Sequence, residues 1–123
     1  MRLLLDTHVV IWWDRGEGLG ERAISAIQEA DQVYVSAVSA WEIAIKASLG
    51  RIETSRSIVD VVADSGFEEL AVRLVHAEGV RELPMHHRDP FDRLLAAQAT
   101  AESLTLVTRD RIFRRYGVKT LRA

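Results

Sequence analysis

Four or five short apolar runs punctuate the chain: "RLLLD" at 2–6, "QVYVS" at 32–36, "FEELAV" at 67–72 and "LTLVT" at 104–108, with "VKTLR" at 118–122 as the optional fifth. Bounded by polar and turn residues, they read as strands. Between them, apolar positions recur at helical spacing. "GERAISAIQEA" carries Ala23, Ile24, Ile27 and Ala30, and "VSAWEIAIKASLG" places Val38, Trp41, Ile45 and Leu49 on one stripe before a terminal glycine. "SIVDVVADSG" and "DPFDRLLAAQATAES" repeat the pattern. Strands that alternate with helices need crossover connections, so the expected fold class is α/β, a mostly parallel sheet covered by helices on both faces.

The totals narrow this further. The 123 residues match one ordinary domain, and 48% hydrophobic with only two prolines is the profile of a compact, regular fold rather than disorder. We therefore expect one domain over 1–123. With no cysteine, disulfides, thiolate metal sites and cysteine nucleophiles are excluded, which fits a reducing cytoplasm. "MRLLLD" reaches an acid after three leucines, too soon for a signal peptide or a spanning helix, so no membrane association is expected. The glycines of "RGEGLGE" lack the Walker lysine and the dinucleotide spacing and read as a turn.

Net charge is −2, but it is segregated. Residues 103–123 hold six basic residues and one acid, +5, against −7 for residues 1–102. Arg109, Arg111, Arg114 and Arg115 crowd "RDRIFRRYG"; the patch reads either as a phosphate-binding surface or as a solvated helix face.

In a parallel sheet, helices start near the edge where the preceding strand ends, and open α/β folds bind ligands at that carboxyl edge. Asp6 ends the first strand, Glu42 lies early in the helix after "VYVS", Asp92 starts the helix leading into "LTLVT", and Asp110 follows that strand. All four are expected on one edge. Three have structural duties open to them: Asp6 as the N-cap of a short helix starting at Thr7 or His8, "DPFD" as N-cap, Pro at N1 and an N3 acid, and Asp110 as a cap of "RIFRRYG". Glu42 does not. It borders the apolar stripe, with Ser39 and Lys46 on its other side, in a stretch apolar enough to be covered. An i,i+4 pair with Lys46 is one solution, and a metal shared with three converging acids is another.

Carboxylates without cysteine suit a hard cation, Mg²⁺ or Mn²⁺, better than zinc. The imidazoles are His8, His76, His86 and His87, and "HH" lacks the i,i+4 spacing of a zincin pair. Carboxylate-held Mg²⁺ acts most often on phosphates, and Arg93, Arg109, Arg111 and Lys46 are candidates to hold a polyphosphate backbone beside it.

"LLLDTHVVIWW", "VSAVSAWEIAIKASLGRI", "HHRDPFDRLLAAQA" and "LTLVTRDRIFRRYGV" resemble, in order and spacing, the motifs of PIN-domain proteins, most closely the VapC-type toxins of toxin–antitoxin pairs. The resemblance spans nearly the whole chain. It implies a three-layer α/β/α sandwich with a parallel sheet of order 3-2-1-4-5, which sets strands one and four side by side. It further implies an Mg²⁺- or Mn²⁺-dependent endoribonuclease, restrained by a VapB-like antitoxin and commonly a homodimer. The family's acids fall on Asp6, Glu42, Asp92 and Asp110 as catalytic and metal-binding residues, with Thr108 at a position whose hydroxyl fixes the last acid. Many relatives carry Asn two residues after the first acid, where this chain has His8, so that role does not transfer. Asp89 is a further candidate, and spacing alone does not choose between Asp89 and Asp92.

Trp12 and Trp13, consecutive on a helix, cannot both face one core; either one meets another element, subunit or antitoxin, or an irregular turn buries both. Rival folds from other classes fit less well. A receiver-type signalling domain, with Lys119 as its lysine, needs paired acids after strand one and an acceptor after strand three, and "LLLDTH" and "FEELAVRL" supply neither. An aspartyl phosphatase wants D-x-D, and His8 occupies the second place. A PIN-like module that binds RNA or protein without cleaving is the remaining alternative, and clustered negative charge is of little use to it.

Overall fold

The computed structural model describes residues 1–85 and 89–123, and the His86–His87 pair lies outside the described residues. The elements run β1 (Arg2–Leu5), α1 (Thr7–Arg15), α2 (Glu21–Glu29), β2 (Gln32–Ser36), α3 (Ala37–Ser48), α4 (Ile58–Ser65), β3 (Glu68–Leu70), α5 (Leu74–Gly79), a 3-10 turn (Val80–Glu82), α6 (Pro90–Ala101), β4 (Thr105–Thr108), α7 (Ile112–Arg115) and β5 (Thr120–Arg122). The five strands form one parallel sheet in the order β3-β2-β1-β4-β5. The expected topology is therefore observed.

Strand β1 shows why the sheet needs two covered faces. Leu3, Leu4 and Leu5 are all fully buried, yet Leu3 and Leu5 join one core with Val9, Val10, Ala23, Ile27 and Val61 of α1, α2 and α4, while Leu4 joins the other with Val38, Leu95, Ala99 and Phe113 of α3, α6 and α7. Successive side chains on a strand alternate faces, so an unbroken apolar run is what a doubly covered strand requires. Among the described residues, no helix is long and apolar enough to cross a membrane.

Two expectations need correction. The apolar stripe read for α3 is only in part its buried face: Val38 is buried and Ile45 half-buried, but Trp41 and Leu49 are 56% and 61% exposed, and Ser39, Glu42 and Ile43 are buried beside Val38. Hydrophobic periodicity cannot register a buried polar pair whose partner, Thr7, lies 30 residues or more upstream. Trp41 instead packs edge-on against Phe91 of α6, ring centres 5.0 Å apart. Second, α5 and the 3-10 turn fall in a stretch, residues 73–82, where the apolar pattern marks no element. That segment is pinned by a fully buried His76, whose Nδ1 accepts from the Arg73 N–H and whose Nε2 lies 3.0 Å from Glu102 Oε1.

The tryptophan pair is resolved by geometry. Both are half-buried against the α1–α2–α4 core. Trp13 donates its indole N–H to Ser65 Oγ at 3.1 Å and tilts against Phe67. Trp12 turns toward the carboxyl edge, under the Arg109 guanidinium and beside His8. Gly18 closes over it with φ +99°, and a Cβ there would stand 2.8 Å from the Trp12 ring; only glycine fits that approach.

Candidate active site

The carboxyl ends of β1, β2 and β4 deliver their following residues to one place. Asp6 follows β1, its backbone N–H donating to the Val107 carbonyl at 3.0 Å. With Leu5 paired to Val107, the next step sets Asp6 against Thr108. The Thr108 hydroxyl donates to Asp6 Oδ2 at 2.7 Å and accepts from the Asp110 N–H at 3.0 Å. The other Asp6 oxygen accepts from the Thr7 N–H at 2.7 Å, so Asp6 caps α1 as its position allowed. Asp110 Oδ1 accepts from the Ile112 N–H at 3.0 Å, holding the start of α7.

Glu42 arrives through β2 and α3, whose N-cap Ser36 accepts from the Val38 N–H. The carboxylate is buried, and both of its oxygens are engaged: Thr7 donates its hydroxyl to Oε1 at 2.7 Å, and Lys46 Nζ lies 2.5 Å from Oε2. Ser39, also buried, lies 3.0 Å from the Thr7 hydroxyl. Thr7 therefore ties the end of β1 to α3. Sequence reasoning missed it; the available signal was a hydroxyl directly after the capping acid, at the first position of a helix.

The first turn of α6 completes the ring. Asp89 is its N-cap, accepting from Phe91 and Asp92 N–H groups at 2.9 and 3.2 Å, with Pro90 at N1. Asp6, His8, Glu42, Lys46, Asp89, Asp92, Arg109 and Asp110 together line a cavity of about 300 Å³. The four expected acids and Asp89 thus share one edge. Among the described residues, five carboxylates line the cavity with Lys46 and Arg109.

Burial and hydrogen bonding shift the ionisation of two of these groups. Burial raises the Asp6 carboxyl above its ordinary value, opposed by the Thr108 and Thr7 hydrogen bonds and by His8, while Glu42 adds to the rise. Lys46 is held above its ordinary value by its hydrogen bond to Glu42 and by the charges of Glu42, Asp89 and Asp92, against a smaller opposing effect of burial. Among the described residues, no three of these groups stand close enough to enclose a metal ion. A hard ion that keeps several waters needs only one or two carboxylates from the protein, and oxygen-only donors are the chemistry such an ion takes.

The candidate RNA-binding cations divide. Arg111 is exposed and directly follows the lining residue Asp110, and Lys46 lines the cavity. Arg109 lines it too, but its guanidinium is spent on the Ala123 carbonyl at 3.1 Å, the Gly18 carbonyl and the Trp12 face, 4.2 Å from the ring centre. Arg93 is a correction: it is buried, donates to the Pro84 and Val80 carbonyls at 2.9 and 3.2 Å, and lies over Tyr116. Burying a guanidinium requires such partners, and they aim it away from solvent.

Comparison with known proteins agrees with this geometry. The PIN domain family matches residues 3–119. The chain is 33% identical over 116 residues to Ribonuclease VapC22 of Mycobacterium tuberculosis (strain ATCC 25618 / H37Rv), covering 91% of this chain and 89% of that protein. Among solved structures, VapBC2 from Rickettsia felis bound to a promoter DNA fragment superposes with a TM-score of 0.74 at 16% identity, over 99% of this chain and 98% of that one. FitAcB from Neisseria gonorrhoeae gives 0.66 at 22%, over 97% and 96%.

Proposed function

This chain belongs to the PIN-domain family, and from that premise we propose that it is a VapC-type toxin, a metal-dependent endoribonuclease held in check by a VapB-like antitoxin. The observation that carries the reading is the single cavity lined by Asp6, Glu42, Asp89, Asp92 and Asp110, with Thr108 bridging Asp6 to Asp110. The similarity to Ribonuclease VapC22, and to folds solved as VapBC complexes, supports the same substrate class and kind of partner.

One or two of Asp6, Asp92, Asp110 and Glu42 would hold Mg²⁺ or Mn²⁺ directly through oxygen, and the others would act through the ion's waters. Such an ion supplies Lewis acidity that lowers the pKa of a water and offsets charge on the leaving oxygen. The chain's own residues set the geometry. Thr108 and the Thr7 N–H fix both Asp6 oxygens, the Thr7 hydroxyl fixes one Glu42 oxygen, and Arg111, exposed directly after Asp110, offers phosphate contact. Water attacks phosphorus in line, the bond to the 3′ oxygen breaks, and the leaving oxygen takes up a proton. The products carry 5′-phosphate and 3′-hydroxyl ends.

The test is RNA cleavage by purified wild type and Asp6→Asn, each with Mg²⁺ and with EDTA. Cleavage by wild type with Mg²⁺ alone is expected, as is growth arrest when wild type, but not the variant, is expressed without antitoxin. Activity that survives both chelation and the substitution overturns the reading; RNA binding without cleavage would favour an inert module.

A further inference from the structure

One contact in the cavity is not used by the chemistry above. Lys46 Nζ lies 2.5 Å from Glu42 Oε2, with Glu42 nearly sealed and the Lys46 side chain 28% exposed. Thr7 holds the other Glu42 oxygen. The acid that lacks a structural duty is therefore fully partnered by the protein itself. Asp6, Asp89, Asp92 and Asp110 line the same cavity, so this ammonium sits among several carboxylates.

The cavity's two cations among the described residues differ in freedom. Arg109 is anchored by two backbone carbonyls and by Trp12. Lys46 is a point charge on a flexible four-carbon stem, able to swing without breaking backbone contacts. It also occupies one oxygen of the nearly sealed Glu42, where an ammonium would both compete with a divalent ion for that lone pair and repel it.

We propose that Lys46 is an internal stand-in for the metal: it neutralises Glu42 while the cavity is without a divalent ion, must leave Glu42 Oε2 when the ion binds, and is thereby released toward an RNA phosphate. This rests on the reading of the cavity as a metal-dependent nuclease centre. It makes metal entry and phosphate binding mutually reinforcing, because each relieves the competition that opposes the other.

The experiment is calorimetric titration of Mn²⁺ into wild type, Lys46→Gln, Lys46→Met, Lys46→Arg and Asp6→Asn, with the free Mn²⁺ EPR signal in parallel and melting curves in EDTA. Removal of a single charge at this range should tighten Mn²⁺ binding by about tenfold in Lys46→Gln or Lys46→Met. Lys46→Arg should stay near wild type and Asp6→Asn should bind more weakly. The neutral variants should also melt lower in EDTA and gain more from Mn²⁺ than wild type does. The Met variant keeps the stem, so one neutral variant serves if the other fails to fold. Equal affinity of wild type and the neutral variants overturns the role of Lys46 and leaves the metal reading intact. If Asp6→Asn binds as tightly as wild type, or none of the proteins binds Mn²⁺, the metal reading falls and the role of Lys46 falls with it.

Discussion

Asp6 and Thr108, 102 residues apart, are joined by one hydroxyl: Thr108 donates to Asp6 Oδ2 at 2.7 Å and accepts from the Asp110 N–H at 3.0 Å. The β1–β4 register makes this meeting unavoidable, since the paired Leu5 and Val107 immediately precede the two residues. Two acids from opposite ends of the chain thus take their positions from one side chain. The hydroxyl also stabilises ionised Asp6 against the cost of burial.

Thr108→Val should separate these effects. Loss of the hydrogen bond removes a contribution that lowers the Asp6 carboxyl, so the acid limb of the pH–rate profile should move to higher pH while kcat falls. Leaving a buried acceptor and the Asp110 N–H short of a partner should destabilise the fold by roughly 1–3 kcal/mol. Thr108→Ser should restore both. A pH profile unchanged in Thr108→Val would show that the contact only fills space.

Asp6→Asn should inactivate the protein and, without metal, stabilise it. Burial raises the Asp6 carboxyl, so between its ordinary and its raised value the folded protein holds a proton that the unfolded chain has released. Stability from this group is full below the ordinary value and is lost as pH rises through the raised one. At neutral pH in EDTA the variant escapes that cost and should melt higher, by roughly 4 °C for each kcal/mol gained. The advantage should shrink as pH falls into the ordinary carboxylate range. An equal difference at every pH would place the effect elsewhere than in ionisation.

How far this site is legible in the sequence depends on how local each signal is. The strands and their parallel order leave short apolar runs, and each acid sits at a strand end or in a helix's first turns, which is enough to assign all of them to the carboxyl edge. The buried face of α3 leaves no such mark. Ser39 and Glu42 are polar, and what makes their burial tolerable is a hydroxyl on Thr7 that becomes a neighbour only when β1 and α3 meet. Arg93 misleads for the mirror-image reason. Its charge suggests phosphate, but Val80 and Pro84, outside every expected element, supply the carbonyls that bury it.

Buried and exposed arginines should therefore respond differently to salt. Arg111, Arg114 and Arg115 are exposed around α7, where Phe113 and Tyr116 face inward. Their joint replacement by serine should weaken RNA binding across sequences and reduce the slope of log affinity against log salt by about 0.7 per lost phosphate contact on a single strand. Stability should change little. Arg93→Ser should do the reverse, lowering the melting temperature while the salt slope of whatever folds is unchanged. A normal slope in the triple variant would make the basic face only a solvated one.

Asp89 and Asp92 can be told apart because one of them caps a helix. Asp89 accepts from two N–H groups at the start of α6, a duty Asn performs equally well. Asp89→Asn should thus retain stability, while Asp89→Ala should lose about 1 kcal/mol with the cap. Asp92 lines the same cavity from the same turn, and Asp92→Asn removes its charge with little change in shape. If Asp92 is the principal ligand, Asp92→Asn should abolish cleavage and weaken Mn²⁺ binding, while Asp89→Asn keeps most of both. The opposite pattern would transfer the role to Asp89. Loss in both would mean that the ion, its waters or the substrate draws on the two carboxylates together, as a turn presenting both to one cavity permits.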